Sequence, residues 1–141
     1  MFKKKNIVYV GGTFDLFHIV HLNILKRAKR LGEKLVVGVK TDKVVLKHKN
    51  KLPVIPFEQR IAIVKSIEYV DIAVPIKSTD ESKLLEKICP DIAIKGDNDE
   101  ARIEVVKWME ENGRKFILLP CTKRISTTKI IKKINESIRR T

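Results

Sequence analysis

Ile7-Val8-Tyr9-Val10-Gly11-Gly12-Thr13-Phe14-Asp15-Leu16-Phe17-His18-Ile19-Val20-His21 is the stretch that decides the fold. An apolar run breaks at two glycines, and a helix-forming segment follows directly. This is the pattern of a strand, a tight turn and a helix start. Glycines let the backbone turn sharply and approach a ligand, while the unpaired N–H groups of a helix's first turn present positive partial charge to an anion. A phosphate site is the natural reading. His18 and His21 are three apart, so a helix beginning near His18 puts them on roughly one face, from which imidazoles can donate hydrogen bonds to a phosphate. The plainer alternative is a Gly-Gly turn without a ligand and a histidine that only caps.

Outward from this segment the periodicity alternates between strand and helix. Short apolar runs rich in β-branched residues lie at 7–10, 34–40, 71–74, 91–95 and 115–119, as buried parallel strands require. Amphipathic helical stretches fall at 21–31, 57–67, 82–88, 103–112 and from 126 to about 138. Gly32 and Gly113 stand where C′ glycines would stop two of these helices. Such repeated units imply a parallel α/β sheet covered on both faces by right-handed crossovers. Ligands of these sheets bind outside the carboxyl ends of the strands, which places Gly11-Gly12, Lys40-Thr41-Asp42, Lys95-Gly96-Asp97 and Pro120-Cys121 among the candidates.

The 141 residues suit one compact domain over positions 1–141. No apolar stretch approaches the roughly 20 residues that cross a bilayer, and no signal-peptide core follows Met1-Phe2-Lys3-Lys4-Lys5; a cytoplasmic protein without a membrane partner is expected. Cys89 and Cys121 lack metal-ligand spacing and read as free thiols, Cys89 as a small apolar packing residue. No metal-ligating set is assigned. The formal net charge of +13 attracts nucleotides, nucleic acid and anionic surfaces alike. Lysines run along the whole chain and stacking aromatics are scarce, so nucleic acid is the less favoured partner.

Gly12 to His21 resembles the G-T-F-D-x-x-H-x-G-H signature of the small cytidylyltransferases, within the wider nucleotidyltransferase group, with Val20 at the glycine position. Ile125-Ser126-Thr127-Thr128 resembles that family's I-S-T-T element. Pro53-Val54-Ile55-Pro56-Phe57-Glu58-Gln59-Arg60 resembles the P-V-x-P-x-E-Q-R stretch of heptose-phosphate nucleotidyltransferases, and Lys95-Gly96-Asp97-Asn98-Asp99 is similar to the K-G-x-D turn. The resemblance implies a Rossmann-like five-stranded parallel sheet of order 3-2-1-4-5 with helices on both faces, which sets the Gly12 and Gly96 turns side by side. It also implies transfer from CTP or ATP, with Mg²⁺, to a phosphorylated sugar or polyol of the heptose-1-phosphate or glycerol-3-phosphate type, releasing pyrophosphate. A homodimer is implied as well.

Such a transfer needs alignment and charge neutralisation rather than a covalent intermediate. His18 and His21 are the candidate donors, with Gly12, Thr13 and Phe14 lining the turn. Asp15 either orients the turn or takes a direct part. Residues 41–51 read as a basic loop in which the resemblance places Lys47 and Lys49 near the triphosphate and acceptor, Lys49 as catalytic; a solvated basic surface is the alternative. Arg60 approaches the site or forms a salt bridge across helix ends. Gly96 and Asp97 are implied to hold the base and ribose. Ser126, Thr127 and Thr128 head a helix suited to the β- and γ-phosphates, preceded by Ile125 and by Arg124, which supplies charge from a shifted position. Val20 and the absent arginine and glycine of R-T-x-G-I-S-T-T leave open a catalytically impaired nucleotide-binding protein. A nucleic-acid-binding module is the third reading.

Overall fold

A computed structural model of the chain describes residues 6–96, 102–119 and 127–140. Strands β1 (Ile7–Gly12), β2 (Lys34–Lys40), β3 (Ile72–Ile76), β4 (Ile92–Gly96) and β5 (Lys115–Leu119) form one sheet in the order β3-β2-β1-β4-β5. Every neighbouring pair is parallel. The register sets Gly11 opposite Gly38 and Val10 opposite Ile94. Winding reverses beside β1, which has β2 on one side and β4 on the other. The crevice at that reversal is where such sheets bind ligands.

The two-residue alternation of a strand explains the two cores. On one face Val8, Val10, Leu35, Val37, Val39 and Ile94 pack with Leu25 and Ala28 of α1 (Ile19–Arg30) and Val64 of α3 (Phe57–Ser66). On the other, Tyr9, Val36 and Ala93 meet Leu85 of α4 (Ser82–Ile88) and Val105, Trp108 and Met109 of α5 (Arg102–Glu111). The sheet, its order and its double covering agree with the sequence-based expectation.

The differences are local and have physical causes. The basic segment after β2 is a helix rather than a loop, α2 (Asp42–Lys49). Thr41 caps its start, its side chain accepting from Val44 N–H, and Asn50 closes it in the left-handed conformation. Lys47, His48 and Lys49 fall in its last turn, where cations complement the carbonyl end of the dipole. Gly32 follows α1 without a positive φ, and a Cβ there would lie 2.7 Å from the Asn6 carbonyl oxygen. It is a close-packing glycine, whereas Gly113 has φ 63° and stops α5 as expected. Cys89 is exposed at the left-handed end of α4 and is not a packing residue. Pro75 is tolerated in β3 because β3 is an edge strand.

The last described helix, α6 (Thr127–Arg140), carries isoleucines along one side, of which Ile134 and Ile138 are exposed. No described helix is long and apolar enough to cross a membrane.

Candidate active site

Beyond Gly12 the chain leaves the sheet through a strained turn. Phe14 and Leu16 hold φ values of 55° and 48°, in the left-handed region that costs an ordinary residue about 1–2 kcal/mol. Three sets of contacts hold it there. The Phe14 ring is buried in the core beneath β1. The Asp15 carboxylate accepts from the Val54 and Ile55 N–H groups at 2.8 and 2.9 Å, and is itself almost buried. The Asp15 carbonyl accepts from Thr127 Oγ1 at 2.8 Å, which brings the start of α6 to the turn across 112 residues of sequence. Of the two roles open for Asp15, the geometry is that of an orienting residue.

Arg60 is fully buried. Its Nε donates to the Ile55 carbonyl at 2.8 Å, its Nη1 to the carbonyls of Thr13 and Lys40 at 2.6 and 2.8 Å, and its Nη2 to Asp42 at 2.7 Å. One guanidinium thus ties the glycine turn, the end of β2, the start of α2 and the segment before α3. The fork geometry of arginine allows it, and the lysine ammonium does not. Arg60 serves as the clasp of the site and does not open onto it. Asp42, which the sequence placed among the strand-end candidates without a role, is its ionic partner; the Thr41-Asp42 helix-start signal was the clue.

The two histidines form a stacked pair with ring centroids 4.0 Å apart. His18 is the N-cap of α1, its Nδ1 accepting from Val20 N–H at 3.2 Å, and His21 Nδ1 accepts from His18 N–H at 3.1 Å. This is a capping box built from imidazoles. An Nδ1 that accepts leaves the ring proton on Nε2, so each neutral ring keeps a donor for another partner. Burial lowers the His21 pKa from 6.5 to about 4, with a further push from His18, an opposing pull from Asp15 and a smaller push from Lys49. His18 is lowered by burial too. Phe14 and Phe17 flank His21 at centroid distances of 5.4 and 5.3 Å. Val20 has helical backbone in α1, and its side chain leaves the imidazole cap intact.

Lys49 is exposed at the end of α2, near enough to His21 for its charge to act on the ring. Lys47 is exposed two residues earlier, about 200° round the helix, and so faces another way. Gly12 and Gly96 end the adjacent strands β1 and β4. Thr127 is at the turn, and Thr128 is exposed beside it. Asp97, Arg124, Ile125, Ser126 and Cys121 lie outside the described residues. Among the described residues no group of three or more His, Cys, Asp and Glu side chains could hold a metal ion.

A glycine turn between a central parallel strand and a histidine-capped helix, at the reversal of a 3-2-1-4-5 sheet, is the arrangement at which α/β proteins bind phosphate groups. Residues 9–133 match the cytidylyltransferase-like family, and the chain belongs to it. It is 34% identical over 135 residues to the bifunctional protein HldE of Cronobacter sakazakii, covering 94% of this chain and 28% of that protein. The chain thus spans little more than a quarter of the HldE relatives. It is also 34% identical to the FAD synthase of Thermococcus kodakarensis, covering 96% of this chain and 95% of that one. Among solved structures, a lipopolysaccharide core biosynthesis protein from Thermoplasma volcanium superimposes with a TM-score of 0.72 at 26% identity, over 86% of this chain and all of that one.

Proposed function

We propose that this chain transfers a nucleotidyl group from CTP or ATP to a phosphorylated sugar or polyol. An acceptor phosphate oxygen attacks the α-phosphorus, the bond to the β-phosphate oxygen breaks, and pyrophosphate leaves. The observation that carries the reading is the imidazole pair: both Nδ1 atoms are engaged by backbone N–H groups, so both Nε2–H donors remain for a phosphate beside the glycine turn. Donors fixed in advance stabilise charge as it develops without reorganising. Lys49 adds a cation from the end of α2, and Arg60 and Asp15 hold the turn in place.

Magnesium belongs to the same proposal, supplying charge on the phosphate oxygens. Both Asp15 oxygens already accept from backbone N–H groups, so the ion is proposed to arrive on the triphosphate, keeping water as its other ligands.

The relatives favour two acceptor types. The P-V-x-P-x-E-Q-R stretch supports a heptose phosphate, and the FAD synthase relative supports FMN, itself the phosphate of a ribityl polyol. That relative also favours ATP as donor. Pyrophosphate release, measured with each triphosphate and Mg²⁺ against heptose-1-phosphate, glycerol-3-phosphate and FMN, tests the proposal. One donor and acceptor pair is expected to turn over. Nucleotide binding without pyrophosphate from any pair would contradict transfer and favour an impaired enzyme. A homodimer completes the reading, and a monomer mass at all concentrations in sedimentation equilibrium would contradict it.

A further inference from the structure

On the face of the sheet opposite Arg60, three side chains from three elements meet in the interior. Tyr9 of β1, Glu81 at the cap position of α4 and Lys95 of β4 have relative exposures of 0, 2 and 1%. The Tyr9 hydroxyl donates to Glu81 Oε1 at 2.5 Å, and Lys95 Nζ lies 3.3 and 3.0 Å from the two Glu81 oxygens. Burying an ion pair costs desolvation that the attraction repays only in part, and apolar residues of like volume often serve stability as well or better. The cluster therefore calls for a reason other than stability.

Its position supplies one. The cluster sits against the glycine turn: a Cβ built on Gly11 would fall 2.6 Å from Lys95 Nζ, 2.8 Å from the Tyr9 hydroxyl and 2.9 Å from Glu81 Oε1. One on Gly38 would fall 2.5 Å from the Tyr9 hydroxyl. Lys95 is followed by Gly96, the last residue of β4, on the strand next to β1. The geometry points to Tyr9, Glu81 and Lys95 as positioning residues that fix the end of β4 relative to the Gly11-Gly12 turn, at the separation a nucleoside triphosphate needs to place its phosphates on one and its nucleoside on the other. This rests on the nucleotide-binding reading above. Neither glutamate nor lysine need touch the ligand.

The test compares two probes that share phosphates and differ in the nucleoside. The affinities of ATP and CTP are measured by calorimetry against that of inorganic tripolyphosphate, for the wild type and for the double variant Glu81→Gln, Lys95→Met. The double variant removes both charges together and keeps an acceptor for the Tyr9 hydroxyl. The advantage of the better nucleotide over tripolyphosphate is expected to fall about tenfold, with tripolyphosphate affinity itself unchanged. An unchanged advantage, or equal weakening of both probes, overturns the proposal and leaves the cluster a structural one. If circular dichroism shows the double variant unfolded, Tyr9→Phe decides in its place, with an expected loss of about threefold and the same overturning result. A wild type that binds neither ATP nor CTP would instead remove the nucleotide-binding reading itself, and one that binds nucleotide and tripolyphosphate equally overturns the proposal.

Discussion

Two buried polar clasps flank the same carboxyl edge of the sheet, one on each face, and they are built in opposite ways. Arg60 binds mainly backbone carbonyls, those of Thr13, Lys40 and Ile55, and so fixes the course of the chain. Tyr9, Glu81 and Lys95 engage one another's side chains, and so fix one strand against another. The first clasp holds a strained turn against the end of β2 and the segment before α3. The second holds elements that the ladder already pairs. Removing the first should therefore cost folding, and removing the second should cost fit.

The sharpest contrast comes from Arg60→Met. It removes the Arg60 donors from three carbonyls and from Asp42 Oδ1, and a loss of about 3–5 kcal/mol in chemical denaturation is expected. The double variant Glu81→Gln, Lys95→Met is expected to change stability by less than about 1 kcal/mol in the same assay. Comparable losses in the two would break the distinction.

The histidine pair belongs to the Arg60 side and gives that side a pH signature. The folded pKa of His21, about 4, lies below its ordinary 6.5. Between these values the unfolded chain takes a proton that the folded protein refuses, so stability falls as pH drops through that window. The slope amounts to an order of 3 kcal/mol across it. Thermal unfolding from pH 7 to pH 4 measures it, and His21→Phe, which keeps the packing against Phe14 and Phe17, should flatten it. His21→Ala should lower turnover about 100-fold at neutral pH, because the lost donor acts on charge developing in the transition state. Near-normal turnover in the folded variant would remove His21 from the chemistry.

The smallest expected effect separates the two lysines of α2. Lys49→Ala should raise the Michaelis constant of one substrate about threefold to tenfold, while Lys47→Ala should leave it within about twofold, since one charge faces His21 and the other does not. Equal effects would mean that α2 contributes only diffuse charge.

The sheet was legible because its signals are repeated: β-branched runs, amphipathic stretches between them and a glycine turn at the first crossover. The helical α2 was not, because Val44-Val45 and a cluster of cations mask a short helix whose real markers are Thr41 and Asn50 at its ends. Arg60 was visible as a motif residue, yet whether it meets a ligand or the backbone depends on contacts up to 47 positions away. Asp15 poses the same difficulty. Glu81 gave no signal at all, since its partners Tyr9 and Lys95 stand 72 and 14 residues off and nothing in its neighbours marks it as buried.

The central claim is that His18 and His21 are neutral, protonated on Nε2 and turned toward a phosphate. Long-range ¹H–¹⁵N correlation spectra of the imidazoles test it directly, and with three histidines in the chain the signals can be assigned by substitution. The account predicts the Nε2–H tautomer for both at pH 7, with the His21 signals titrating near pH 4, and displacement of both Nε2 resonances on adding a nucleoside triphosphate. An Nδ1–H tautomer for either ring, or Nε2 resonances that saturating nucleotide leaves in place, would contradict it.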